Sequence, residues 1–176
     1  MKVFQKEERK EKLIELGIPE KFIINLETKD RIWGFEEPYN SYDILADVHQ
    51  DYKILKRYNI VPIYEIGAGD AGYYIYAFND EEKRIIWFDL EMDEENKDYG
   101  ENFQLLLFEK MIDYYEDQEI EDDFNINSFC TYGDLICFNY STEVYEKMKK
   151  IDPSIRKSYA EFEKWKKKLT LELEIQ

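Results

Sequence analysis

The sequence predicts a domain in which helices flank an antiparallel sheet. Three observations predict it: helical periodicity before residue 59; three short β-branched and aromatic runs between residues 60 and 90, joined by turns too short for a crossover helix; and helical periodicity again from Phe103. A chain of 176 residues is long enough to bury one core and fits a single domain with an appendage.

The first helix is expected over Glu7 to Leu16, with Leu13, Ile14 and Leu16 inward and Gly17 ending it. Pro19 suits the first residue of a second helical turn through Phe22 and Ile23. Ser41 can cap a third helix, whose apolar residues Ile44, Leu45, Val48, Tyr52 and Leu55 recur at spacings of three and four. His49 falls beside that stripe and is expected on the helix surface.

Ile60–Ile66, Tyr73–Phe78 and Arg84–Leu90 then read as strands of a meander, with Pro62 marking an edge or a bulge. Glu91 to Glu101 reads as an acidic loop. Phe103, Leu106, Leu107, Lys110, Met111, Tyr114 and Tyr115 follow at helical spacing. An acidic linker, Asp117 to Asp123, leads to an expected strand over Leu135 to Tyr140 and a helix over Thr142 to Lys150. Asp152 and Pro153 start a last lysine-rich helix with the stripe Ile155, Tyr159, Phe162, Trp165 and Leu169.

Charge is the strongest departure from an ordinary composition. The chain holds 40 acidic and 24 basic side chains, a formal net charge of -16. Residues 80–123 contribute 18 of the acids and only 4 of the bases, so the negative field is local. Such a field repels phosphate backbones and anionic membranes and steers basic partners. With 44% hydrophobic and 16% aromatic residues the chain is still too apolar for a disordered acidic segment. The amino terminus, MKVFQKEERKEKLIELG, has no apolar run of the secretory type, and no stretch reaches the length of a membrane span, so a cytoplasmic location is expected. Cys130 and Cys137 match neither a disulfide framework nor a CxxC metal pair and are expected as buried free thiols.

The motifs that suggest chemistry fail on context. Gly67 to Gly72 spells GxGxxG, but a β-run follows where a dinucleotide site needs a helix amino terminus. Gly67, Gly69, Asp70 and Gly72 are therefore expected to build a hairpin turn. Asp89, Glu91, Asp93, Glu94, Glu95 and Asp98 alternate like calcium ligands but lack the central glycine of such a loop. One histidine cannot make a multi-histidine metal site, and no carboxylate pair is marked as a shifted acid and base. No catalytic residue, metal or cofactor is expected.

The order of these parts resembles the SUKH superfamily (Smi/Knr-type). The resemblance covers roughly residues 10–117 and rests on the LGIPEKFI segment, the apolar strand and Gly-rich hairpin Ile66–Gly72, the turn Asn79–Glu82, the acidic-ended strand Ile85–Glu91, and the helix Phe103–Tyr115. It implies an α+β fold with a mostly antiparallel sheet flanked by helices, a SUKH-like domain over residues 1–119; beyond the resemblance, the helical periodicity of residues 120–176 leads us to expect a C-terminal helical extension packed on the same domain. It also implies a bacterial immunity protein that binds and neutralises a cognate polymorphic toxin, while eukaryotic relatives act as regulatory interaction modules.

Toxins of that family are often nucleases, whose basic sites an acidic surface would suit. The expected contact is Asp89, Glu91, Asp93, Glu94, Glu95 and Asp98, with Tyr99 as an aromatic anchor. The expected partner is a toxin with a basic C-terminal domain, bound by a monomer or weak homodimer without direct nucleic-acid or membrane contact. An intracellular regulatory or scaffold module is the alternative class, and a small-ligand or nucleotide-binding enzyme a more distant one.

Overall fold

In the computed structural model, residues 1–28, 32–35, 41–65 and 72–175 are described. The fold is α+β: a four-stranded antiparallel sheet in the order β1-β2-β3-β4, flanked by helices and followed by a helical C-terminal part. The chain divides into two compact units, Met1–Phe103 and Gln104–Gln176.

The first unit opens with α1 (Lys6–Glu15) and α2 (Glu20–Thr28), separated by Gly17 in the left-handed region at φ 93°. Leu13 is buried as expected, whereas Ile14 is 39% exposed and the second inward residue is Arg9. The Arg9 Nε donates to Pro62 O at 2.8 Å, Nη2 to Ile63 O at 2.5 Å and Nη1 to Glu27 at 3.2 Å. One guanidinium thus joins α1, α2 and β1 (Asn59–Glu65). Helix α3 (Ser41–Val48) starts at Ser41, whose expected capping side chain lies outside the described residues, and a short 3-10 helix, Leu55–Arg57, leads into β1.

Strands β1, β2 (Gly72–Phe78) and β3 (Lys83–Asp89) form the expected meander, β1 with β2 from Asn59↔Phe78 to Glu65↔Tyr73 and β2 with β3 from Gly72↔Asp89 to Phe78↔Lys83. Pro62 lies on the sheet-terminal strand, and the register shifts between Pro62 and Tyr64, so the proline marks both an edge and a bulge. Asn79 closes the β2–β3 turn by accepting from the backbone N–H of Glu81 and Glu82 at 2.8 and 3.0 Å. Gly72 begins β2, while Gly67, Gly69 and Asp70 lie outside the described residues. One sheet face buries Ile60, Ile75, Ala77, Ile86 and Phe88 with Leu45 and Leu55. The other carries an aromatic row, with Tyr64 stacked on Tyr74 at 4.3 Å and Tyr74 on Trp87 at 6.0 Å.

Three expectations are corrected in this unit. The presumed acidic loop contains a fourth strand, β4 (Glu94–Asp98), which its sequence EENKD hides because it lies at the sheet margin, where apolar alternation is not required. His49 is not on the surface: it is 3% exposed, its Nε2 donates to Tyr58 O at 2.8 Å, and its Nδ1 accepts from Gln50 Nε2 at 2.9 Å. Tyr99 is 3% exposed, packed toward Tyr74 at 6.3 Å.

The second unit holds most of α4 (Phe103–Gln118), then α5 (Ile126–Ile136), α6 (Ser141–Lys150), α7 (Pro153–Arg156) and α8 (Tyr159–Glu172). The strand expected at Leu135–Tyr140 is instead the end of α5 and a turn. Asn125 caps α5 by accepting from the N–H of Asn127 at 2.9 Å, and Cys137 ends it at φ 66°. At Gly133 a Cβ would fall 1.9 Å from Ser141 Oγ, so α5 and α6 pack as closely as a bare glycine allows. The expected long final helix is two: α7, capped by Asp152 with Pro153 in its first turn, and α8, capped by Ser158. The break leaves Tyr159 82% exposed while Phe162 and Leu169 stay buried. Cys130 and Cys137 are free but half-buried rather than fully buried.

Candidate functional site

The acids singled out in the sequence converge on the β3–β4 hairpin, where their roles separate. β4 pairs with β3 through Ile86↔Asp98, Trp87↔Lys97, Phe88↔Glu95 and Asp89↔Glu94, with a register shift between Trp87 and Phe88. Asp89 closes the turn by accepting from Met92 N at 3.0 Å. Asp93 takes a left-handed backbone, φ 52°, and accepts from Lys53 N at 3.0 Å, tying the hairpin to the segment after α3. Both carboxylates are thus engaged in holding the hairpin's conformation and its attachment.

Glu95 and Asp98 belong to a network centred on Arg84, a residue the sequence reading passed over. The Arg84 guanidinium pairs with Glu95 and with Asp98, donating from Nε to Asp98 Oδ2 at 3.1 Å. Its Nη1 also donates to Tyr58 Oη at 3.2 Å, and Tyr58 in turn donates to Glu82. Burial opposes the Arg84 charge, but the hydrogen bonds to Tyr58 and Asp98 and the carboxylates of Glu95 and Asp98 more than offset it, holding its pKa above the ordinary value. Burial and the Glu82 contact push the Tyr58 phenol up. One signal pointed here: Arg84 is one of only 4 bases among residues 80–123.

Glu91 and Glu94 remain. Both are exposed, and no ion pair or hydrogen bond holds either carboxylate among the described residues. Between them Met92 is 64% exposed, an apolar side chain flanked by free negative charge. At the hairpin tip the exposed apolar side chain is Met92, whereas the ring of Tyr99, expected as an aromatic anchor, is buried.

Among the described residues, no three His, Cys, Asp or Glu side chains are grouped so as to hold a metal ion, and no helix is long and apolar enough to cross a membrane. Compared with family models, with curated proteins and with solved structures, the chain matches none.

Proposed function

We propose that this chain is a non-catalytic immunity protein of the SUKH type, which binds a basic toxin domain with nuclease activity and neutralises it by covering its site. The observation that carries the reading is the hairpin tip, where the free carboxylates of Glu91 and Glu94 flank exposed Met92 in the most acidic stretch of the chain. A cytoplasmic location belongs to the same proposal, because a nuclease toxin is met where its substrate lies.

Affinity capture of the tagged protein from its source cells, with rising salt in the wash, tests the proposal. The expected result is one stoichiometric, salt-sensitive partner with a basic domain whose nuclease activity this protein suppresses. The Glu91→Lys/Glu94→Lys double variant should then associate about tenfold more slowly, with a flatter salt dependence. Capture of housekeeping proteins without toxic activity would overturn the immunity reading in favour of a regulatory module. An unchanged association rate would remove the hairpin from the interface.

A further inference from the structure

The two margins of the sheet are finished differently. At the β1 margin the chain's first residues close the ladder, with Phe4 N donating to Ile60 O and Ile60 N to Lys2 O, both at 2.8 Å. The next carbonyls, of Pro62 and Ile63, are taken by Arg9, and Pro62 has no N–H to offer. That margin has little left to give a further strand. At the β4 margin no described segment pairs with the outer side of the strand, and alternate residues of an antiparallel strand turn their N–H and C=O groups away from its one partner.

We propose that the outer edge of β4 takes up an extended, lysine- or arginine-rich segment of a protein partner as a further strand. This deepens the reading above, on which it rests, by naming how the acidic hairpin would hold its partner. Charge selects the occupant: Arg84 engages Glu95 and Asp98 of β4, while the free carboxylates of Glu91 and Glu94 stand before the strand and at its start. A second copy paired antiparallel about Asn96 would set Glu94 against Asp98, a like-charge pair, and Glu95 against Lys97, an opposite-charge pair, so it gains no net charge complement. A basic strand gains both the backbone ladder and the charge complement. At about 3.4 Å per residue the five residues of β4 offer a docking length of roughly 17 Å, enough for four or five residues of the partner.

The experiment uses the full chain, isotopically labelled, and a capped synthetic peptide of alternating lysine and valine, Lys-Val-Lys-Val-Lys-Val-Lys. Amide exchange is followed by NMR at about 20 mM salt, where screening is weak. Expected is a slowing of exchange of about tenfold or more at outward-facing β4 amides, lost with the same peptide N-methylated at every residue, which keeps its charge but cannot form a ladder. Lys97→Glu should tighten binding several-fold and Glu94→Lys weaken it several-fold. Equal binding of the N-methylated peptide, protection confined to other elements, or no binding would each overturn the proposal. Salt-dependent self-association through β4 would overturn the choice of occupant. The two readings fail separately: a captured toxin that leaves β4 amides unprotected sinks this inference alone, whereas peptide protection without any toxin partner sinks the immunity reading alone.

Discussion

Replacing Arg9 with methionine tests whether a buried guanidinium, rather than apolar packing alone, fixes α1 to the sheet. Arg9 is 1% exposed and makes three hydrogen bonds, two of them to the carbonyls of Pro62 and Ile63 beside the β1 bulge. Methionine refills much of the stem volume but leaves both carbonyls buried without a donor, at about 1–3 kcal/mol each. The solvation the guanidinium gave up on burial is no longer a cost, which offsets part of this. The balance is a loss of about 3 kcal/mol. With a urea dependence of about 2 kcal/mol per molar for a chain of this size, the unfolding midpoint should fall by about 1.5 M. Fluorescence-monitored urea titration measures it, with Lys10→Met as control, since the Lys10–Glu20 pair is solvent-exposed. A midpoint for Arg9→Met that matches the control would refute the reasoning.

Arg84→Ala leaves Glu95 and Asp98 without their shared cation, so the melting temperature should drop by about 3 °C at low salt and recover part of that as salt rises; a deficit insensitive to salt would mean that packing dominates. Gly133→Ala drives a methyl into Ser141 Oγ and should cost about 1–3 kcal/mol in thermal unfolding, with partial rescue by Ser141→Gly. Burial raises the phenol pKa values of Tyr58, Tyr73, Tyr76, Tyr114, Tyr115 and Tyr132 above their unfolded value near 10. Each therefore contributes stability that is whole below about pH 10 and is lost as pH rises from there toward the folded value. Tyr132, buried among α4 and α5 side chains and pushed up further by Tyr114 and Asp113, should weigh most. Tyr132→Phe should flatten the decline of stability measured by denaturant titration between about pH 10 and 11.5, and an unchanged slope would contradict that assignment.

What the sequence made legible was what local pattern encodes. The runs Ile60–Ile66, Tyr73–Phe78 and Arg84–Leu90 announce three strands because residues 60–64 of β1 and 73–77 of β2 are buried on both faces, and Ile85, Ile86 and Phe88 of β3 with them, so that all are apolar or aromatic. β4 escapes that pattern because EENKD at the sheet margin needs no apolar face. Leu135 to Tyr140 misleads for the opposite reason: a short apolar run suits a strand or a helix end equally, and the Asn125 cap together with the close α5–α6 approach at Gly133 selects the helix. Arg9 and His49 look like surface residues because their partners, the carbonyls of Pro62, Ile63 and Tyr58, lie 53, 54 and 9 positions away. The acidic stretch was located correctly as composition, but composition cannot divide carboxylates that close turns or hold Arg84 from the two left free. That division depends on pairing across β3 and β4.

The buried imidazole has a practical consequence. His49 is the sole histidine of the chain, so its ring proton gives one resonance in a region of the NMR spectrum free of other side chains of its kind. The carbonyl of Tyr58 can only accept, which places that proton on Nε2, while Nδ1 receives Gln50. Because the same Tyr58 reaches Glu82 and Arg84 through its hydroxyl, the line should shift whenever the hairpin network is rearranged. The protein thus carries a built-in spectroscopic reporter, linked through Tyr58 and Arg84 to Glu95 and Asp98 of the hairpin and requiring no label that could disturb it.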